Sequence, residues 1–243
     1  MVCTQREHFG PVPGVECMSG SNCLSKCVAE GIATFGLTFI GAGTIWLHGD
    51  NIVAVAAAHG IILAVMVSAT MNISGAHVNP AVTLALMSTK RITPKLGGYY
   101  ILSQLIGAAL AGGILCLVGA AGVGTPAPQE MDGNLFDTQT VILVEIVLTF
   151  LLMTVIMGTA VDNRAPAGIA GFGIGLAVMA DILMGGGITG AAMNPARWMG
   201  TWVFSDMENK IDFVIYWLGP IIGAVLAATV WDKLLVDSDE TDD

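Results

Sequence analysis

The sequence predicts an all-α membrane protein: six transmembrane helices plus two reentrant half-helices, arranged as an inverted repeat. Three observations predict it. The chain is 54% hydrophobic and 12% charged, with a mean hydropathy of +0.75, against about 25% charged residues in a soluble domain. The apolar residues are gathered in six runs of membrane length. The first half of the sequence returns, residue for residue at key points, in the second.

Residues 1–24 are expected to form a tail on the cytoplasmic side. Arg6, Glu7, His8 and two prolines interrupt any apolar core of the kind a cleavable signal needs. The runs at 28–47, 52–71, 98–121, 140–161, 168–186 and 214–236 are each long enough, or nearly so, to cross about 30 Å of hydrocarbon as a helix. A channel domain over residues 25–236 follows, with one repeat at about 25–121 and the other at about 138–236. Six spans put both termini on one face. That face receives Arg6, Lys26, Lys90, Arg91, Lys95, Arg164 and Lys233, and the other receives Lys210. The positive-inside rule then makes the terminal face cytoplasmic, in a cell membrane of the bacterial type or, as the alternative, a vacuolar membrane. Residues 237–243 read as a solvated acidic tail.

The net charge of −10 offers no basic footprint for nucleic acid. Cys3, Cys17, Cys23 and Cys27 sit near a cytoplasmic N-terminus, where thiols are ordinarily reduced. With His8 they match no standard zinc spacing, so neither metal nor cofactor is expected. No nucleophile–base set or phosphate loop suggests an enzyme.

The repeat has an interval of 115 residues, which separates both Glu30 from Glu145 and Asn79 from Asn194. Thr34, Phe35 and Leu37 answer to Thr149, Phe150 and Leu152. Ser74-Gly75-Ala76-His77-Val78-Asn79-Pro80-Ala81 answers to Thr189-Gly190-Ala191-Ala192-Met193-Asn194-Pro195-Ala196. After a slip of one residue, Gln104–Gly107–Ala108 matches Pro220–Gly223–Ala224. Three spans per half reverse the second half relative to the first, so what enters from one face in one half enters from the other face in its counterpart.

Each Asn-Pro-Ala opens a short apolar stretch, 81–87 and 196–204. Asn is a good helix N-cap, and Pro suits the first turn, where its missing N–H would have no partner. About eight residues at ~1.5 Å each cover only ~12 Å, so two such helices from opposite faces can meet at the midplane. The irregular approaches, 74–78 and 185–193, must then be buried in protein or line a wet cavity. With each Asn oxygen capping its helix, the NH₂ groups of Asn79 and Asn194 are expected free to donate into the lumen. The helix N-termini bring partial positive charge there, a barrier to protons and cations. Two ordinary packed turns are the plainer reading of these segments.

Ser-Gly-Ala-His-Val-Asn-Pro-Ala-Val-Thr at 74–83 and Thr-Gly-Ala-Ala-Met-Asn-Pro-Ala-Arg at 189–197 resemble the paired signature of the aquaporin (major intrinsic protein) family, over roughly residues 25–236. The resemblance implies a right-handed bundle, a homotetramer in the lipid bilayer with one pore per protomer, and passage of water and small neutral solutes. Pro80, Ala81, Pro195 and Ala196 complete the pore motif with the two asparagines. Arg197, a fixed cation in a membrane segment whose counterpart is Val82, is expected to line the outer pore, with an ion pair as the plainer alternative. By the family's spacing, His59, Ile182 and Ala191 complete a selectivity filter with it. His-Ile-Ala-Arg is similar to the plant tonoplast-type set, which is associated with water plus ammonia, urea or hydrogen peroxide.

The resemblance also implies that Glu30 and Glu145 brace the reentrant loops. His77 is a candidate pH gate or a further brace, and Asp181 has no assigned role. Trp198 stands where the family usually has Ser, and Gly200-Thr201 where Gly-Pro commonly follows. A glycerol facilitator is the alternative within the family. Trp198 after Arg197, the short interval between motifs and Tyr216-Trp217 argue against it. An ion-coupled secondary transporter is the alternative of another class, and linear, unsaturable flux without ion coupling separates it from a channel.

Overall fold

The computed structural model describes residues 20–206 and 210–236. The tail residues Cys3, His8 and Cys17 and the acidic segment 237–243 lie outside the described residues. Among those described, six helices are long and apolar enough to cross a membrane: Asn22–His48, Ile52–Ser74, Pro94–Leu117, Thr138–Val161, Ile169–Thr189 and Ile211–Leu235. By element, these are α1 (Gly20–His48), α2 (Ile52–Ser74), α4 (Pro94–Leu117), α5 (Thr138–Ile156), α6 (Ile169–Thr189) and α8 (Lys210–Val230). The short α3 (Pro80–Ser88) and α7 (Pro195–Trp202) are the two half-helices. A two-residue hairpin, β1 (Glu130–Met131) with β2 (Asn134–Leu135), turns through Asp132 and Gly133 at positive φ, the backbone that tight hairpins need.

Local chemistry sets the ends of these elements. The Asn51 side chain caps α2 and Thr93 caps α4, with Pro94 at the first turn. Asp137 caps α5, accepting from the Gln139 and Thr140 N–H groups at 2.9 Å each. Those bonds, the Thr140 backbone and hydroxyl first, hold its carboxyl below the ordinary aspartate range. Several expected boundaries move, among them the start of the first span, from 28 to Gly20. The third span begins at Pro94 rather than 98 and stops at Leu117, with Gly119 beyond it at φ 98°. The fifth span continues past 186 to Thr189, where Gly190 at φ 75° returns its N–H to Gly186 O. The irregular approach to the second half-helix is therefore 190–193, not 185–193. α5 and α8 also end in π turns, Met157–Val161 and Trp231–Leu235, which apolar periodicity does not reveal. Cys23 is disulfide-bonded, contrary to the reduced state expected, whereas Cys27 and Cys116 are free thiols.

Packing interlocks the halves. α1 lies against α4 and α5 against α8 within each half, and α2 against α6 between them. Each half-helix packs on the last span of the other half, α3 on α8 and α7 on α4. Bare backbone makes these approaches close. A Cβ placed on Gly112 would run into Gly200 O, and one on Gly200 would lie 2.6 Å from Ala108 O. Trp198 fixes the other side of α7. It is fully buried, stacks on Trp202 at 4.9 Å and on Tyr216 at 5.5 Å, and donates its indole N–H to Pro126 O at 3.0 Å. The bulky residue in a position usually held by Ser thus fills an aromatic cluster and anchors the loop before α5.

On the face that carries the ends of the chain, Arg91 makes a bidentate pair with Asp232, both bonds 2.7 Å. It ties the turn after α3 to the end of α8. Arg164 grips Asp162 and donates to Leu235 O, and its hydrogen bonds hold the Asp162 carboxyl below the usual range.

Gly112→Ala should lower the thermal unfolding temperature of the detergent-solubilised protein, with overpacking costing about 1–3 kcal/mol. Gly98→Ala, on the same helix with nothing within 4 Å of its added methyl, should leave it unchanged. Equal melting of the two variants would contradict the close α4–α7 contact.

Candidate functional site

The site grows from two carboxylates at the same place in the repeat. Glu30 on α1 and Glu145 on α5 are both fully buried. Glu30 accepts from Ser74 Oγ at 2.6 Å, His77 N at 2.9 Å, Val78 N at 2.7 Å and Gln104 Nε2 at 2.7 Å. Glu145 accepts from Thr189 Oγ1 at 2.7 Å, Ala192 N at 2.9 Å and Met193 N at 2.8 Å. Each carboxylate occupies a concavity of successive backbone N–H groups, the geometry of an anion nest.

The nests need an unusual backbone. Ala76, Val78, Ala191 and Met193 all have φ between 46° and 56°, left-handed values that are outliers for a β-branched residue such as Val78. Each such residue costs on the order of 1–3 kcal/mol, which the buried charge-assisted hydrogen bonds offset. Two tyrosines complete the support. Tyr100 donates to Ser74 O at 2.8 Å and Tyr216 to Thr189 O at 2.7 Å. Sequence reading did not single out this pair as braces. The signal was there, because 100 and 216 obey the same one-residue slip as 104 and 220.

Both loops deliver their asparagines to the centre. Asn79 Oδ1 accepts from Ala81 N at 2.9 Å, and Asn194 Oδ1 accepts from Ala196 N at 3.0 Å and Arg197 N at 3.2 Å. Pro80 and Pro195 occupy the first turns, as expected. The NH₂ groups are not wholly free. Asn79 Nδ2 donates to Met193 O at 2.8 Å, and Asn194 Nδ2 donates to Val78 O at 2.9 Å. Each amide therefore spends one N–H on the opposite loop and keeps one. The two helix tips meet so closely that each amide lies beside the other loop's last carbonyl.

One cavity of about 110 Å³ runs past these groups. Arg91, Ala160 and Val161 line it toward the terminal face, Asn79 and Asn194 in its middle, and His59, Ile182, Ala191 and Arg197 toward the opposite face. Between them the wall is apolar, with Leu63, Val67, Val82, Leu152, Ile174 and Val178. The four residues expected to form the filter thus share one wall region.

Their polar geometry is specific. Arg197, 2% exposed, donates through Nη1 to Gly124 O at 2.8 Å. Its Nη2 lies 3.1 Å from His59 Nε2, and His59 Nδ1 lies 2.8 Å from Val55 O. A carbonyl can only accept, so Nδ1 carries the proton and Nε2 accepts from Arg197. No carboxylate forms an ion pair with Arg197 among the described residues. His59 thus both hydrogen-bonds to Arg197 of the second half-helix and lines the cavity.

His77 also lines the cavity, but it is tied down. Its Nδ1 lies 3.1 Å from Thr83 Oγ1, and its ring sits edge-on to Tyr100 at 5.1 Å. Thr83 Oγ1 donates to Asn79 O at 3.0 Å and accepts from Gln104 Nε2, so the His77 Nδ1–H completes a network around the first loop. Asp181 is buried beside Ile182, and its Oδ2 has no hydrogen-bond partner among the described residues.

Replacing Glu145 by Gln puts an NH₂ among donors and strands backbone N–H groups of the second loop. Each orphaned group should cost about 1–3 kcal/mol, read as a lower unfolding temperature. The same change at the exposed Glu130 should have no effect, and unchanged melting of Glu145→Gln would refute the brace.

The profile of the family described as "Major intrinsic protein" matches residues 17–231. The chain is 39% identical to "Aquaporin TIP4-4" of Zea mays over 229 residues, 90% of this chain and 89% of that protein. It is 40% identical to "Aquaporin AqpM" of Methanothermobacter marburgensis over 238 residues, 86% of this chain and 96% of that protein. The fold matches the X-ray structure of the aquaglyceroporin from Plasmodium falciparum with a TM-score of 0.74 at 21% identity, over 88% of this chain and 97% of that one. With the paired half-helices in place and relatives matched along most of their length, the chain belongs to the major intrinsic protein family.

Proposed function

We propose that this chain is a passive channel for water, also passing ammonia, urea or hydrogen peroxide and excluding protons and ions. The observation that carries the reading is the meeting of two helix N-termini inside one cavity. There Asn79 and Asn194 cross-bond to Met193 O and Val78 O and each keep one N–H. A water at that point accepts from the asparagines and turns its own hydrogens outward, so the hydrogen-bonded file is interrupted. The partial positive charge of both helix ends opposes protons and cations.

The apolar wall on either side offers a passing solute few places to bind, and carbonyls of the left-handed loops supply acceptors. In the outer constriction His59 and Arg197 form the polar side and Ile182 and Ala191 the apolar side. With one wall apolar, the passage is less strictly polar than a water-only filter, and it resembles a tonoplast-type set. Arg197, which forms no ion pair with a carboxylate among the described residues, keeps its charge available to repel cations. The positive-inside count supports a cytoplasmic side for both termini, and the family resemblance supports a homotetramer with a pore in each protomer.

Stopped-flow light scattering on proteoliposomes tests this reading with water, urea, ammonia and glycerol in turn. Water flux should exceed that of protein-free vesicles and rise linearly with the gradient. Ammonia and urea should follow, and glycerol should lag. Vesicles that shrink but exclude urea and ammonia would refute the broader selectivity, and saturable, ion-coupled flux would refute the channel. Arg197→Val should raise cation leak, and His59→Phe should cut urea flux more than water flux.

A further inference from the structure

The His59 ring is held from a direction that the cavity does not show. Gly41 lies buried on α1, facing α2. A Cβ placed there would overlap His59 Nε2 and lie 2.5 Å and 2.9 Å from ring Cδ2 and Cε1. Two residues along the same helix, a Cβ on Gly43 would meet only Leu115 Cδ2, at an ordinary 3.6 Å. The close contact therefore belongs to position 41 and is not a general tightness of α1.

The ring has little freedom to yield. Nδ1 is fixed to Val55 O and Nε2 accepts from Arg197. Arg197 is itself fixed to Gly124 O. The edge of the ring that meets Gly41 is the edge that meets the guanidinium.

We propose that Gly41 is a positioning residue of the outer constriction: its missing side chain provides the recess that seats the His59 ring and sets where Nε2 and Arg197 stand at the wall. The inference rests on reading the cavity as a pore. An added methyl leaves the ring two exits. It can move into the cavity and narrow it, or it can turn away from Val55 O and withdraw the acceptor from Arg197. Either exit changes the polar wall without altering any residue that lines it.

The test is a double-mutant cycle of Gly41→Ala with His59→Ala, with Gly43→Ala as control. Water and urea permeabilities are measured per incorporated protein. Gly41→Ala should lower water flux by roughly threefold to tenfold, the scale of a forced off-rotamer ring, and urea flux by at least as much. Gly43→Ala should conduct as the unmodified protein. In the His59→Ala background there is no ring to displace, so adding Gly41→Ala should change nothing further.

A Gly41→Ala protein that conducts normally, or one that loses as much flux in the His59→Ala background, would overturn the proposal. Should Gly41→Ala alone fail to incorporate, restored incorporation of the double variant supports it and failure of both overturns it. If the unmodified protein itself conducts no water, the pore reading falls and this inference with it. Normal flux with no coupling between positions 41 and 59 removes this inference alone.

Discussion

Residues 75–78 and 190–193 are irregular backbone in the middle of an apolar helical bundle, and each unpaired peptide group at that depth costs several kcal/mol. The rest of the structure follows from how those groups are satisfied. Glu30 and Glu145 collect the N–H groups, Tyr100 and Tyr216 hold the carbonyls where the loops begin, and the asparagine amides take the last carbonyls of the opposite loops. Buried carboxylates that accept from three or four donors each are the frame on which the two loops are held. The left-handed residues are the cost of turning successive peptide N–H groups toward the carboxylate.

The repeat builds the middle of the passage and its exceptions build the ends. Asn79 and Asn194, Pro80 and Pro195, Ala81 and Ala196 are equivalent in sequence and in place. Val82 and Arg197 are equivalent in sequence but opposite in character, so one half lines the cavity there with an aliphatic side chain and the other with a guanidinium. His59 accepts from Arg197 only as the neutral ring with its proton on Nδ1. Among the described residues, the positive charge at that end of the cavity therefore rests on Arg197, and the histidine orients it.

Much of this was legible in the sequence because it depends on pairs. Two copies of Asn-Pro-Ala at one interval identify the half-helices with no coordinates, and two glutamates at the same interval mark equivalent places whose bracing role came from the family resemblance. What was not legible depends on close approach between segments distant in the chain. The second bond of each asparagine amide needs the distance between opposite loops. The seat of His59 depends on the absence of an atom at Gly41, and glycine is common enough in this chain that no single one draws notice. α6 runs to Thr189, where left-handed Gly190 closes it, although the run of glycines at 185–187 suggests an earlier stop. Trp198 was conspicuous as a departure, but its partners Tyr216, Trp202 and Pro126 O come together only in the folded chain.

The crossed amide bonds bear on how the molecule is made. Asn79 is synthesised long before Met193, so the first loop leaves the ribosome with its brace at Glu30 available but its acceptor not yet made. Until the second loop arrives, that amide has only solvent or lipid headgroups to turn to, and α3 lacks the α8 surface it later packs against. Neither half is a finished unit in the bilayer, and the crossed bonds at the centre cannot form before the second loop is made, however early the first half is inserted.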